Sequence, residues 1–131
     1  MNGLEDIKIL LADDDNLSCD IAKLYLKKIG IKSENIVIVN DGSAAIDVSK
    51  KQLFDLILMD IRMPGKSGID ATKEIRAHYN GNSPKIVAYS GDVFAANNIV
   101  NRELFDAFII KPINKEIFQN PIFEVLEYNT L

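Results

Sequence analysis

Residues 56–68 read LILMDIRMPGKSG. Four apolar residues, Leu56–Met59, stop on Asp60, and Pro64, Gly65 and Gly68 punctuate the loop after it. A run this short and this uniformly apolar reads as a strand buried on both faces rather than as an amphipathic helix. Pro64 ends the strand register, and with Met63 it shapes the loop behind Asp60. A buried strand that ends on a carboxylate puts that carboxylate at the rim of a sheet.

Outward from this stretch the pattern recurs. Ile7–Leu11, Ile36–Val39, Lys85–Tyr89 and Ala107–Ile110 are further short apolar runs and read as strands buried on both faces. The intervening segments have helical spacing. Leu17, Ile21, Leu24, Tyr25 and Ile29 give the clearest apolar stripe, stopped by Gly30, and Gly42–Lys50 and Ser67–Tyr79 read as further helices. Strict alternation of strand and helix predicts five βα units forming an α/β fold, with a parallel sheet covered by helices on both faces. Val93–Arg102, rich in Asn and Ala, reads as a helix with a weak stripe. Pro121 is expected to kink the last helix or to restart it with Asn120 as N-cap.

At 131 residues, 47% of them apolar, the chain has the size and core of one domain, expected over residues 1–131 with its core at about 7–128. A formal net charge of -4 and a pI near 4.9 argue against direct binding of nucleic acid. Cys19 is the single cysteine, so no internal disulfide forms, and the N-terminal residues lack the basic start and apolar stretch of a secretory signal. No apolar run approaches the roughly 20 residues of a membrane span. These features predict a cytoplasmic chain without membrane insertion.

In an open parallel sheet the ligand crevice lies beyond the carboxyl ends of the strands. The polar residues there are Asp13, Asp14 and Asp15 after the first strand, Asp60 after the third, Ser90 after the fourth and Lys111 after the fifth. Carboxylates gathered this closely stay ionised only beside a cation, and hard oxygen ligands at a crevice suit Mg²⁺. A carboxylate next to Mg²⁺ can attack a phosphoryl group, with Lys111, Ser90 and the metal each neutralising one phosphoryl oxygen. Taken alone, the Asp13–Asp15 run is a solvated turn with Asn16 capping a helix; Asp60 reverses that reading.

The segments KILLADDDN, LILMDIRMPGKSG, IVAYSGD and FIIKPI stand in one order along the chain. In that order and at nearly that spacing they resemble the receiver domains of two-component response regulators, from about Ile7 to the last predicted helix. The resemblance implies a flavodoxin-like sheet of order 2-1-3-4-5 and a phosphorylation site at Asp60. It implies Mg²⁺ bound directly by Asp14, Asp60 and the Arg62 backbone carbonyl, and through water by Asp13. It further implies catalytic roles for Asp60, Lys111 and Ser90, a switch pair of Ser90 and Phe108, and a cis Lys111–Pro112 peptide. A histidine kinase or histidine phosphotransfer protein is the implied donor, and the surface of the fourth helix, last strand and last helix is the implied output to a protein target. The chain departs from the family at Ser67, where Asp is frequent, at Gly91, where Ala is usual, and at Phe105-Asp106-Ala107, which replaces a common Gly-Ala pair.

Two rival readings use the same residues. A haloacid-dehalogenase-like phosphatase would take Asp13 as its nucleophile, but leaves Asp60 and the MPGKSG loop without a role. A protein-binding module of receiver fold would ignore the acidic cluster altogether. Asp15 is assigned to the positive end of the first helix rather than to the metal. His78 reads as an outward helix residue and Cys19 as a half-buried one. Arg62 and Asp92, each two residues past a site residue, are expected to overhang the site as an ion pair and to set the lifetime of the phosphorylated state.

Overall fold

Strand β1 (Ile9–Ala12) has no exposed residue, and its side chains alternate between two faces, as a period of two requires. Ile9 and Leu11 join one apolar cluster, Leu10 and Ala12 the other. The computed structural model, which describes residues 3–91 and 98–128, repeats this alternation in the next two central strands. In β3 (Leu56–Met59) Leu56 and Leu58 oppose Ile57 and Met59, and in β4 (Lys85–Ser90) Val87 and Tyr89 oppose Ile86 and Ala88. With β2 (Ile36–Val39) and β5 (Ala107–Ile110) these strands form a parallel sheet of order β2-β1-β3-β4-β5. Each fully buried Leu or Ile contributes about 1.5–3 kcal/mol, so this doubly covered centre carries most of the stability.

Three strand expectations are corrected. β1 starts at Ile9 rather than Ile7, because Leu4–Asp6 form a 3₁₀ turn that the Ile7 N–H closes onto Leu4 O at 3.2 Å. The Lys8 N–H is then taken by the Asp55 carboxylate at 2.9 Å. β4 runs one residue further, to Ser90. The edge strands β2 and β5 are mostly half-buried rather than buried on both faces, since each has a paired neighbour on one side only.

Helix α1 (Asn16–Lys28) turns only part of its expected stripe inward: Tyr25, and Ile29 just past its end, are half-buried against the core. Leu17, Ile21 and Leu24 are 66%, 38% and 51% exposed, while Cys19, Ala22 and Leu26 face the core. Small residues let the helix lie close to the sheet, and the larger apolar ones line its outer flank. Asp15, not Asn16, is the N-cap, its carboxylate accepting the Leu17 N–H at 3.2 Å. Helices α2 (Gly42–Lys51) and α3 (Gly68–Tyr79) pack on the opposite face through Ala45, Ile46, Ala71 and Ile75. His78 is exposed, as expected, and Cys19 is buried, not half-buried.

The expected helix over Val93–Arg102 corresponds to α4 (Ile99–Leu104), with residues 93–97 outside the described residues. The last helix, α5 (Lys115–Val125), runs through Pro121 instead of restarting at Asn120, and its N-cap is Asn114. Pro121 removes one backbone donor, but Phe118 and Ile122 on either side of it are both 0% exposed and hold the two turns onto the core. Asp106 fills a structural role of its own. Its carboxylate accepts the Ile86 N–H at 2.8 Å and Arg76 of α3 at 3.0 Å, and Arg76 also donates to Leu104 O and Ser83 Oγ, each at 2.7 Å. Among the described residues no helix is long and apolar enough to cross a membrane.

Candidate functional site

The register brings the acidic residues together. Ala12 pairs with Met59 across β1 and β3, so Asp13 and Asp60, the next residues in each chain segment, leave the sheet side by side. Ser90 ends β4 opposite Ile110, and Lys111 follows, its backbone N–H donating to Ser90 O at 2.9 Å. The Lys111–Pro112 peptide is cis, as expected.

Asp13 is 0% exposed and fully engaged. Its Oδ1 accepts the Asp15 N–H at 3.0 Å and its Oδ2 the Lys111 ammonium at 2.9 Å. Its carbonyl accepts the Asn40 amide at 3.0 Å and the Cys19 thiol at 3.3 Å. Asp60 is also buried, accepting the Arg62 N–H at 3.2 Å through Oδ1 and facing Lys111 Nζ at 3.6 Å through Oδ2. Asp14 is exposed, yet one oxygen from each of Asp13, Asp14 and Asp60 lies within 4.8 Å of the others.

The loop after Asp60 closes tightly over the site. Gly68 donates its N–H to Ile61 O at 2.8 Å, and a Cβ there would sit 1.9 Å from Asp60 O. Gly42, at the start of α2, meets the same loop: its Cβ would lie 2.3 Å from Lys66 O. Ser67 caps α3, its hydroxyl accepting the Asp70 N–H at 3.2 Å, so the departure at Ser67 keeps the capping function.

Electrostatics separate the two buried carboxylates. Burial, reinforced by neighbouring Asp13 and only partly offset by Lys111, pushes Asp60 up to about 7. Burial pushes Asp13 upward too, but the Asp15 N–H and the Lys111 ammonium outweigh it and hold that carboxyl below its ordinary range. The Ser18 hydroxyl, close to the Asp13 carboxylate, acts first in the same lowering direction, although it closes no hydrogen bond of standard geometry. Lys111 is lowered by burial and raised more strongly by Asp13 and Asp60, so its ammonium persists. Burial and then Asp13 push the Cys19 thiol up to about 11, which leaves it unreactive at neutral pH.

Three carboxylates facing one contacting ammonium among the described residues leave an excess of negative charge. The donors are hard oxygens, two buried and one open to solvent, and this set fits a small divalent cation such as Mg²⁺. Ser90 is 3% exposed at the strand end, and Phe108 is half-buried with its ring edge-on to Phe105 at 5.5 Å. Arg62 is exposed beside the acidic cluster; Asp92, its expected partner, lies outside the described residues. Sequence reasoning gave no role to Tyr89, whose ring lies under Lys111 Nζ at 4.5 Å to its centroid. The available signal was an aromatic residue next to Ser90 at the end of a buried strand.

Comparison with known proteins agrees with this geometry. The chain is 32% identical over 122 residues to hybrid signal transduction histidine kinase H of Dictyostelium discoideum, a match covering 89% of this chain and 9% of that protein. It is 32% identical over 133 residues to the transcriptional regulatory protein ZraR of Klebsiella oxytoca, covering 100% of this chain and 28% of that one. The chain therefore spans a small part of either relative. The receiver domain of a sensor histidine kinase from Pseudomonas aeruginosa PAO1, solved with magnesium coordinated in its active-site cleft, superposes with a TM-score of 0.81 at 27% identity over 92% of this chain and 98% of that domain. The sequence model of the response regulator receiver domain matches residues 9–122, and the chain belongs to that family.

Proposed function

We propose that this receiver domain takes a phosphoryl group on Asp60 from a histidine kinase or histidine phosphotransfer protein, with Mg²⁺ in the acidic pocket. Receiver domains are signalling modules rather than turnover enzymes, and this one supplies the residues for its own phosphorylation and hydrolysis. The observation that carries the reading is the placement of Asp60, with Oδ2 3.6 Å from Lys111 Nζ and one carboxylate oxygen within 4.8 Å of an oxygen from each of Asp13 and Asp14. A carboxylate oxygen of Asp60 attacks phosphorus and the P–O bond forms as the donor's P–N bond breaks; the donor imidazole, carrying a proton on its other ring nitrogen, takes the P–N electron pair and leaves neutral. The Lys111 ammonium receives one phosphoryl oxygen and the Ser90 hydroxyl another. Asp14, Asp60 and the Arg62 carbonyl would hold the metal, and Asp13 would support it through water. Bound there, Mg²⁺ supplies positive charge to the remaining phosphoryl oxygen.

Asp13 is a poor candidate for nucleophile, since both its oxygens are already bonded and its side chain is 0% exposed. A donor has an apolar approach beside the site: Leu17, Ile21 and Leu24 share one groove with Lys111. Once phosphorylated, Asp60 draws Ser90 toward it and Phe108 turns inward. Because Phe108 lacks a hydroxyl, packing alone holds it there, and the α4-β5-α5 surface changes. Arg62 and Asp92, the latter outside the described residues, would shield the phosphoryl group from water, and a single cysteine suits the reducing cytoplasm.

Hydrogen exchange with Mg²⁺ and beryllofluoride, a phosphoryl mimic, tests this reading. Protection should change in β5 and α5 of wild type and not in Asp60→Asn. Identical changes in both proteins, or changes confined to α1, would contradict it.

A further inference from the structure

The last two residues of β4 hold Lys111 from two directions. Ser90 accepts its backbone N–H at 2.9 Å, and the Tyr89 ring lies beneath its ammonium, 4.5 Å from nitrogen to centroid. The same ammonium also faces Asp13 at 2.9 Å and Asp60 at 3.6 Å. Tyr89 is 2% exposed. Its ring meets Phe118 edge-on at 6.0 Å and 86°, and Phe118, itself 0% exposed, packs on Tyr25 of α1 at 5.6 Å. The surface under Lys111 is therefore anchored in the core between α1 and α5.

We infer that Tyr89 is a positioning residue for phosphoryl transfer, its aromatic face holding the Lys111 ammonium between Asp13 and Asp60. This rests on the reading that Asp60 takes a phosphoryl group beside Lys111. A lysine has a flexible stem and a compact charge. Facing Asp13 alone it would settle on that carboxylate, which already holds it at hydrogen-bond distance, and would be poorly placed for an incoming phosphoryl oxygen. The negative face of an aromatic ring gives the cation a second point of attraction, and it does so more strongly where water is excluded. Tyr89 lies in β4 and Lys111 directly follows β5, the adjacent strand, so the ammonium is placed before the donor arrives, which is where an electrostatic contribution to transfer is largest.

Two measurements test this. In the NMR spectrum of the wild-type chain the Lys111 ε-methylene protons should lie upfield of those of the other lysines, through the Tyr89 ring current; ordinary positions would overturn the proposal. The second is the rate of phosphorylation by acetyl phosphate with Mg²⁺ for wild type, Tyr89→Phe and a chain carrying pentafluorophenylalanine at position 89, which keeps the ring's shape but reverses its charge distribution. Tyr89→Phe should stay close to wild type and the fluorinated chain should be slower by about 2- to 30-fold, the range of a cation–π contact. Equal rates in all three would reduce Tyr89 to core packing and overturn this inference alone. No phosphoryl uptake by wild type would overturn the acceptor reading beneath it, while the Lys111 resonances would still report whether the contact exists.

Discussion

Asp60 Oδ2 stands 3.6 Å from Lys111 Nζ, an ion pair without a hydrogen bond. The ammonium is instead bonded to Asp13, and so Asp60 bears a burial cost that Lys111 only partly offsets, with a pKa near 7 against an ordinary 3.8. A carboxyl whose folded value lies above its unfolded value stabilises the fold below the unfolded value, and that contribution is lost as pH rises through the folded one.

Metal-free protein should therefore lose stability between about pH 4 and pH 7 on account of Asp60. Asp60→Asn should remove this slope and be more stable than wild type at pH 8, by as much as about 4 kcal/mol. Mg²⁺ must displace the proton, so its apparent affinity should fall about tenfold per unit below pH 7. Urea titrations and Mg²⁺ binding isotherms across this range provide the check; a flat profile for wild type would contradict it. Asp13, held below its ordinary value, acts in the opposite sense, losing its contribution only on stronger acidification.

Asp14 is the exposed member of the cluster, and Asp14→Ala should leave metal-free stability almost unchanged. Wild type should gain about 2.7 kcal/mol at a Mg²⁺ concentration 100 times the dissociation constant, and the variant should gain almost nothing at the same concentration. Thermal melts with and without Mg²⁺ measure this, and an equal shift in both proteins would remove Asp14 from the metal.

Gly68 touches the backbone of Asp60, with room for no Cβ between it and Asp60 O. Gly68→Ala should displace the loop and cost about 1–3 kcal/mol. Ser67→Ala, which removes the neighbouring cap, should cost about 1 kcal/mol. Denaturant melts distinguish them, and a Gly68→Ala loss no greater than that of Ser67→Ala would contradict the close approach.

Asp106→Ala strips an acceptor from both Ile86 N–H and Arg76. With two bonds to a charged group lost, about 1–3 kcal/mol of stability should go with them. A change below about 0.5 kcal/mol, the level of an ordinary surface substitution, would show the clamp to be incidental.

The central strands and the acidic rim were legible because each depends on local pattern alone: Leu56–Met59 can only be buried, and a carboxylate following it can only lie at the sheet's edge. The orientation of α1 was not legible. Leu17, Ile21 and Leu24 make the more apolar stripe, yet close packing on the sheet selects the smaller Cys19 and Ala22, a choice that depends on the distance between helix and sheet. The continuity of α5 through Pro121 likewise rests on tertiary anchors, Phe118 and Ile122. Tyr89 and Asp106 act across the fold, on Lys111 and Arg76. Neither pairing leaves a trace in local sequence.

The decisive bond is the one proposed between phosphorus and Asp60. Incubation with Mg²⁺ and acetyl phosphate, followed by intact and peptide mass spectrometry, reads it directly. Wild type should carry one phosphoryl group, mapped to Asp60 and removed by hydroxylamine, and Asp60→Asn should carry none. Equal incorporation in the two proteins, or a phosphoryl group mapped to Asp13, would contradict the account.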